Sequence, residues 1–199
     1  MMDGLMERIK KVFTFKNEVY AEVESDASFT QTAWILVAAV AFLNQLGGNA
    51  ALVHVSGGSW IVGTITGTIF SVVGFGVGCF IISWAGKQFF GADVTFEEMV
   101  RTLGLAYVWN VVGFLGIIAL AAPGLACVSG PISFLAGIAG MVAWFMAAKE
   151  ALDLEWPQTI GTVVIGWVAS FIVSLIAGAI LGIFGIAGAG ITSAIRGLR

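Results

Sequence analysis

The sequence predicts an all-α, polytopic membrane protein of five transmembrane helices preceded by an N-terminal amphipathic helix, and three observations lead there. Apolar and aromatic residues make up 59% of the 199 residues and charged ones only 11%, against roughly 25% charged in a soluble domain. The apolar residues gather into blocks at about 30–51, 59–86, 105–122, 131–148 and 159–185, none of which contains any of the twelve acidic residues. Four of these blocks reach the ~18-residue length of a bilayer-spanning helix, and the first is less pure. The chain therefore divides into a charged segment, 1–28, and a membrane domain, 29–199.

Residues 2–13 place Met2, Leu5, Met6, Ile9, Val12 and Phe13 on one side and Asp3, Glu7, Arg8, Lys10 and Lys11 on the other, which is helical periodicity. Such a helix lies in the headgroup region or packs against the ends of the spans, and the pattern is equally consistent with both. The first apolar block begins near Phe29, after a run of acidic residues, so this start is not a cleavable secretory signal and the N-terminus is expected to be retained. In residues 17–26, Val19, Tyr20 and Val23 are expected to tuck against the span ends. Glu18, Glu22, Glu24 and Asp26 are expected to pair with Lys87, Arg101 and Lys149.

From Trp60 to Trp84 a helix rises roughly 36 Å, enough to cross a bilayer with some tilt. Between the second and third spans, Thr95-Phe96-Glu97-Glu98 is a capping box opening a short helix, with Glu97 one turn before Arg101 for a weak local pair. Lys149 and Asp153 repeat that spacing after span four. Spans three and four are joined by PGLACVSG alone, hence a tight antiparallel hairpin, and Pro157 stands just before span five, where a missing amide costs least.

Orientation follows from Lys and Arg at the span ends, because basic residues resist translocation. With the N-terminus inside, Arg8, Lys10, Lys11, Lys16, Lys87, Arg101 and Lys149 are cytoplasmic and only Arg196 and Arg199 lie outside. This predicts a multi-pass protein of the cell membrane with N-terminus cytoplasmic and C-terminus outside. Trp34, Trp84, Trp109 and Trp156 then mark the inner boundary and Trp60 the outer one, as an aromatic belt does.

Glycines at four-residue spacing, Gly63 and Gly67, Gly74 and Gly78, Gly178 and Gly182, put small residues on one helix face and let backbones approach. They are read as helix-packing sites within the chain, with a homo-oligomer interface as the alternative. His54 near Ser56 and Ser59 lacks the positioned nucleophile, base and oxyanion donors of a serine hydrolase. One histidine and two separated cysteines, Cys79 and Cys127, leave a His/Cys metal site without ligands. No cofactor is implied, and a net charge of −3 does not suggest a nucleic-acid partner. An ion-coupled carrier is disfavoured because no ionisable residue stands in the central part of a span. Asn44, Gln45 and Asn110 are read as tied to neighbouring helices.

The stretches NEVYAEVESDASFTQTAW (17–34), GADVTFEEMVRTLGLAYVW (91–109) and AAKEALDLEWPQTIGTVVIGW (147–167) occur in this order between the spans. Together they resemble the prokaryotic branch of the YIP family, the Ypt-interacting-protein domain of integral membrane proteins, over roughly residues 14–185. The resemblance implies a five-span bundle with a cytosolic N-terminus. Eukaryotic members act in vesicle traffic and bind prenylated small GTPases. This chain lacks the Asp-Leu-Tyr-Gly-Pro stretch those members carry, and Trp109-Asn110 stand where many relatives have a proline, so GTPase binding is not carried over.

The reading is a non-enzymatic membrane scaffold or membrane-organising protein. Its partners are the lipid bilayer and either a second copy of itself or another membrane protein, met on a cytoplasmic face built from Glu22, Asp26, Arg101, Lys149 and Asp153. The alternatives are a small neutral-solute channel or transporter and an accessory subunit of a larger membrane complex.

Overall fold

A computed structural model describes residues 2–54, 57–121, 126–169, 171–172 and 175. Helix α1 (Met2–Phe13) and helix α2 (Glu18–Ser25) precede α3 (Phe29–Gly48). A 3-10 turn over Ala50–His54 leads into α4 (Gly57–Phe90), and α5 (Phe96–Ala106) passes into a 3-10 segment, Tyr107–Leu115, and then α6 (Gly116–Ala121). Helix α7 (Ala126–Leu152) follows, and α8 covers 156–169. Four stretches among the described residues are long and apolar enough to cross a membrane: Phe29–Gly48, Gly57–Phe90, Phe96–Ile118 and Ser129–Leu152. The fifth expected span, 159–185, is helical through 169, and its part beyond 175 lies outside the described residues. The protein is an all-α, multi-pass membrane protein.

The spans differ from their sequence-based limits in informative ways. Helix α4 has 34 residues, about 51 Å at ~1.5 Å per residue, whereas the hydrocarbon core is ~30 Å thick. The helix is therefore longer than a perpendicular crossing of the hydrocarbon needs. It stops at Gly91, whose φ of 69° lies in the left-handed region that ends helices. The short helix expected after Thr95 is α5, of 11 residues, and the 3-10 segment and α6 continue it through the third span. Helix α7 likewise begins at Ala126, inside the expected hairpin loop, and contains Pro131.

Packing divides along the same line. The outward face of α4 leaves Ile61, Val62, Ile65, Ile69 and Phe80 at least half exposed, a patch that water would not tolerate but lipid does. At the charged end the situation reverses: Val12, Val19, Tyr20, Val23, Met99, Leu103 and Leu152 have no exposed surface and share one core. Beyond the bilayer the hydrophobic effect operates in full, while within it lipid offers helices no such drive. The apolar side of α1 is used in that core: Val12 is buried, with Leu5 and Ile9 packed against it. Tucking of Val19, Tyr20 and Val23 is as the sequence suggested.

The membrane part is held by close backbone approaches and neutral polar bonds. A Cβ on Gly47 of α3 would run into the main-chain oxygen of Gly113, and one on Gly116 would run into the oxygen of Gly47. Gln45 donates to Ser71 Oγ at 3.1 Å and accepts from Asn49 Nδ2 at 2.9 Å. Asn44 donates to the Asn110 carbonyl at 2.7 Å, and Asn110 to that of Tyr107 at 3.0 Å. Each of the three expected polar residues has a protein partner.

Candidate functional site

The charged end is built around Arg101. Thr95 caps α5 as the sequence indicates: its main-chain N–H donates to Glu98 Oε2 at 2.6 Å, and its Oγ1 accepts from the Glu98 N–H at 3.2 Å. This fixes the start of a helix whose next residues, Met99 through Ala106, are all buried. Arg101 is among them, only 7% exposed. Its Nε donates to the carbonyls of Val23 and Glu24, each at 3.0 Å, and its Nη1 to Thr30 Oγ1 at 3.2 Å. A further bond runs from Nη2 to the Glu24 carbonyl. Val23 and Glu24 belong to the last turn of α2, whose carbonyls have few helical partners, and a cation there also meets the negative end of the helix dipole.

This arrangement corrects the expected ion pairs. Arg101 bonds main-chain oxygens of α2 and not its carboxylates, and among the described residues the carboxylate within ion-pair distance of it is Glu98 at 4.0 Å, one helical turn away, in place of Glu97. Lys87 and Lys149 have no carboxylate within ion-pair distance among the described residues; Lys149 lies 5.7 Å from the centre of the Trp156 ring and not against Asp153. Within the acidic segment, Glu22 and Asp26 are paired by α1. Arg8 bonds Glu22 at 2.9 Å and Asp26 at 3.0 Å, and Lys11 bonds Glu22 at 3.4 Å. Adjacency explains the outcome: α1 and α2 are joined by a short turn, so these cations reach α2 before any loop cation does.

The electrostatics follow from the contacts. The bond from Arg8, opposed by burial and helped by Lys11, holds the Glu22 carboxyl below its ordinary value. Bonds from Ser28 and then Arg8 do the same for Asp26. Glu24 goes the other way: burial first, then the charges of Glu150, Glu98 and Asp153, push it up to about 7, with Arg101 opposing. Glu24 shares a cavity of about 510 Å³ with Asp93, Glu150 and Asp153, walled by Leu152 and Leu154.

The five proposed face residues thus fall into separate groups. Glu22 and Asp26 are drawn together on Arg8, Arg101 is enclosed beneath α2, Asp153 lines the acidic cavity, and Lys149 lies over the Trp156 ring. Sequence reasoning missed Asp93 and Glu150 as members; the only signal was that both are acids close to a span end. Among the described residues no group of His, Cys, Asp and Glu has a metal-holding arrangement. Cys79 is buried and free.

The packing glycines are placed differently from one another. A Cβ on Gly63 would meet Leu52 Cδ1 of the 3-10 turn at 3.0 Å, and one on Gly67 would meet the Gln45 side chain of α3 at 2.5 Å. Gly78 is buried, Gly74 faces open space, and Gly178 and Gly182 lie outside the described residues.

A second cavity, of about 470 Å³, lies between α3, the 3-10 segment, α7 and α8, and it touches both Asn44 and Asn110. It shares no lining residue with the acidic cavity. Among known protein families, the model described as the Yip1 domain matches residues 10–178. No curated protein and no solved structure matches the chain.

Proposed function

This chain belongs to the Yip1 domain family, and from that premise we propose that it is a non-enzymatic membrane scaffold that docks a partner on its cytoplasmic, charged end. The observation that supports this most is the amount of structure invested there. Residues 2–25, lying before the first span, contribute Val12, Val19, Tyr20 and Val23 to the protein's core and are clamped by Arg101. A segment with no role beyond hydrating the membrane boundary needs no such core.

The surface left available is acidic: Glu24, Asp93, Glu150 and Asp153 line the cavity. A partner meeting it presents positive charge. The orientation rests on the distribution of Lys and Arg. Labelling of single cysteines placed at positions 54 and 95 tests it, with 54 reached from outside and 95 from inside.

For the function itself, mild-detergent purification of the wild type and of Asp153→Lys with Glu150→Lys is compared by quantitative mass spectrometry. One stoichiometric protein partner should be retained by the wild type and lost from the charge-reversed variant. Identical profiles count against a docking role.

A neutral-solute channel is the second reading, favoured by the cavity that touches Asn44 and Asn110. Solute flux through reconstituted vesicles decides for it, and a bundle that passes nothing leaves the scaffold.

A further inference from the structure

We propose that the open flank of α1, with the turn that follows it, is a contact surface for a bilayer carrying anionic phospholipids. Lys10 and Lys16 meet the lipid phosphates, and Met6, Phe13 and Phe15 enter the headgroup region. The contact lies apart from the acidic cavity and does not depend on the docking reading.

Helix α1 has three sides, and two are engaged within the chain. Leu5, Ile9 and Val12 face the core. On one flank, Arg8 and Lys11 are committed to Glu22 and Asp26. The other flank carries Met6, Lys10 and Phe13, which are neighbours at four- and three-residue spacing. Met6 is 57% exposed and Phe13 37%. Lys10, and Lys16 in the turn, are exposed and have no carboxylate within ion-pair distance among the described residues. The chain thus neutralises the cations on one flank of the helix and leaves those on the other for an anion from outside.

The turn is shaped to hold an aromatic ring on that side. The Phe15 N–H donates to the Val12 carbonyl at 3.1 Å and the Lys16 N–H to the Lys11 carbonyl at 3.0 Å, the two bonds that close a helix through a left-handed residue, ordinarily glycine. Here that residue is Phe15, with a φ of 54°, a conformation that bulky side chains rarely adopt. Its ring stacks on Trp109 at 5.4 Å, beside Phe13 at 4.7 Å, and remains 40% exposed. A glycine would close the helix with less strain and leave no ring there.

The level of this cluster selects a lipid surface as the source of the anion. Trp109 packs on α7 at Gly140, where a Cβ would meet Trp109 Cβ at 3.0 Å. Gly140 lies twelve residues before the Leu152 end of its span, about 18 Å at ~1.5 Å per residue. Next to it on α7, Met141 and Val142 are exposed and meet acyl chains in a membrane. The aromatic cluster is therefore alongside the span and not beyond its charged end. A helix at that level with apolar and lysine side chains on its open flank lies in the interface, where the phosphates of anionic lipids attract lysines.

The test uses the full chain in nanodiscs of phosphatidylcholine, with and without phosphatidylglycerol, read by hydrogen exchange of the amides of residues 5–16. Phosphatidylglycerol should slow that exchange roughly fivefold for each lysine engaged, and high salt should reverse the slowing. Lys10→Gln with Lys16→Gln should abolish the dependence on phosphatidylglycerol. The melting temperature of this variant in pure phosphatidylcholine should match the wild type, because neither lysine is ion-paired among the described residues. Separately, a fluorophore on Met6→Cys, in a chain with Cys79→Ala and Cys127→Ala, should be quenched by lipids brominated near the headgroup. Exchange that is equal in the two bilayers, a slowing that the double variant keeps, or a fluorophore quenched by aqueous iodide and not by brominated lipid overturns the proposal.

Discussion

The guanidinium of Arg101 donates through Nε, at 3.0 Å, to the main-chain carbonyl of Glu24, a residue 77 positions earlier in the chain. With the parallel bond to Val23 it ties the last turn of α2 to the interior of α5. Arg101→Met is expected to destabilise the protein by about 1.5–3 kcal/mol, the scale of hydrogen bonds to a charged donor. Arg101→Lys should recover only part of this, because an ammonium cannot reproduce the planar fork of the guanidinium. Denaturant unfolding in micelles measures both. Limited proteolysis near residues 14–17 should accelerate in step with the loss, and unchanged cleavage in Arg101→Met would show that the clamp is not what holds α2.

Glu24 gives a pH dependence of definite sign. Burial and the neighbouring Glu150, Glu98 and Asp153 raise its folded-state pKa from 4.5 to about 7. Its stabilising contribution is therefore complete below 4.5 and is lost as pH rises through about 7. The melting temperature should fall over this window, and Glu24→Gln should flatten the fall. A wild-type curve that rises through the same window would contradict the environment described for Glu24.

Glu22 and Asp26 act in the opposite direction. Their carboxyls are held below the ordinary value, chiefly by Arg8 for Glu22 and by Ser28 then Arg8 for Asp26. The stability they supply is present above the ordinary carboxylate pKa and lost as pH falls below it. These pairs are partly exposed, with 43% of the Glu22 side chain accessible, so each is worth roughly 0 to 1 kcal/mol. A double-mutant cycle of Arg8→Met and Glu22→Gln should return a coupling in that range that shrinks in high salt.

The glycines separate by what a methyl group would meet. Gly47→Ala places a Cβ against the main chain at Gly113 and Phe114, and with backbone unable to move aside it should cost about 1–3 kcal/mol. Gly74→Ala enters open space and should lie within roughly 0.5 kcal/mol of the wild type. Unfolding of the two variants side by side checks this. If Gly74→Ala is instead strongly destabilising and also changes the oligomeric state, that glycine belongs to an interface between copies of the chain.

The sequence by itself determined the class and the outline of the protein. The missing charge in the apolar blocks requires a lipid environment, the period of residues 2–13 sets α1, and Thr95 with Glu98 sets the start of α5. These are local properties, carried by composition and by contacts within one or two helical turns. The tertiary structure alone decided how the charged end is wired. Arg101 reads as a loop cation in sequence, yet it is enclosed and spent on main-chain oxygens, which every residue has and no pattern marks. Glu24 reads as one acid among several, yet the approach of α7 gives it Glu150 and Asp153 as neighbours. Gly47 lacks the four-residue partner that drew notice to Gly63 and Gly67, and only the crossing of α3 with the third span reveals that its hydrogen is required. Burial, like-charge proximity and backbone contact depend on distances between residues far apart in the chain, and folding sets those distances.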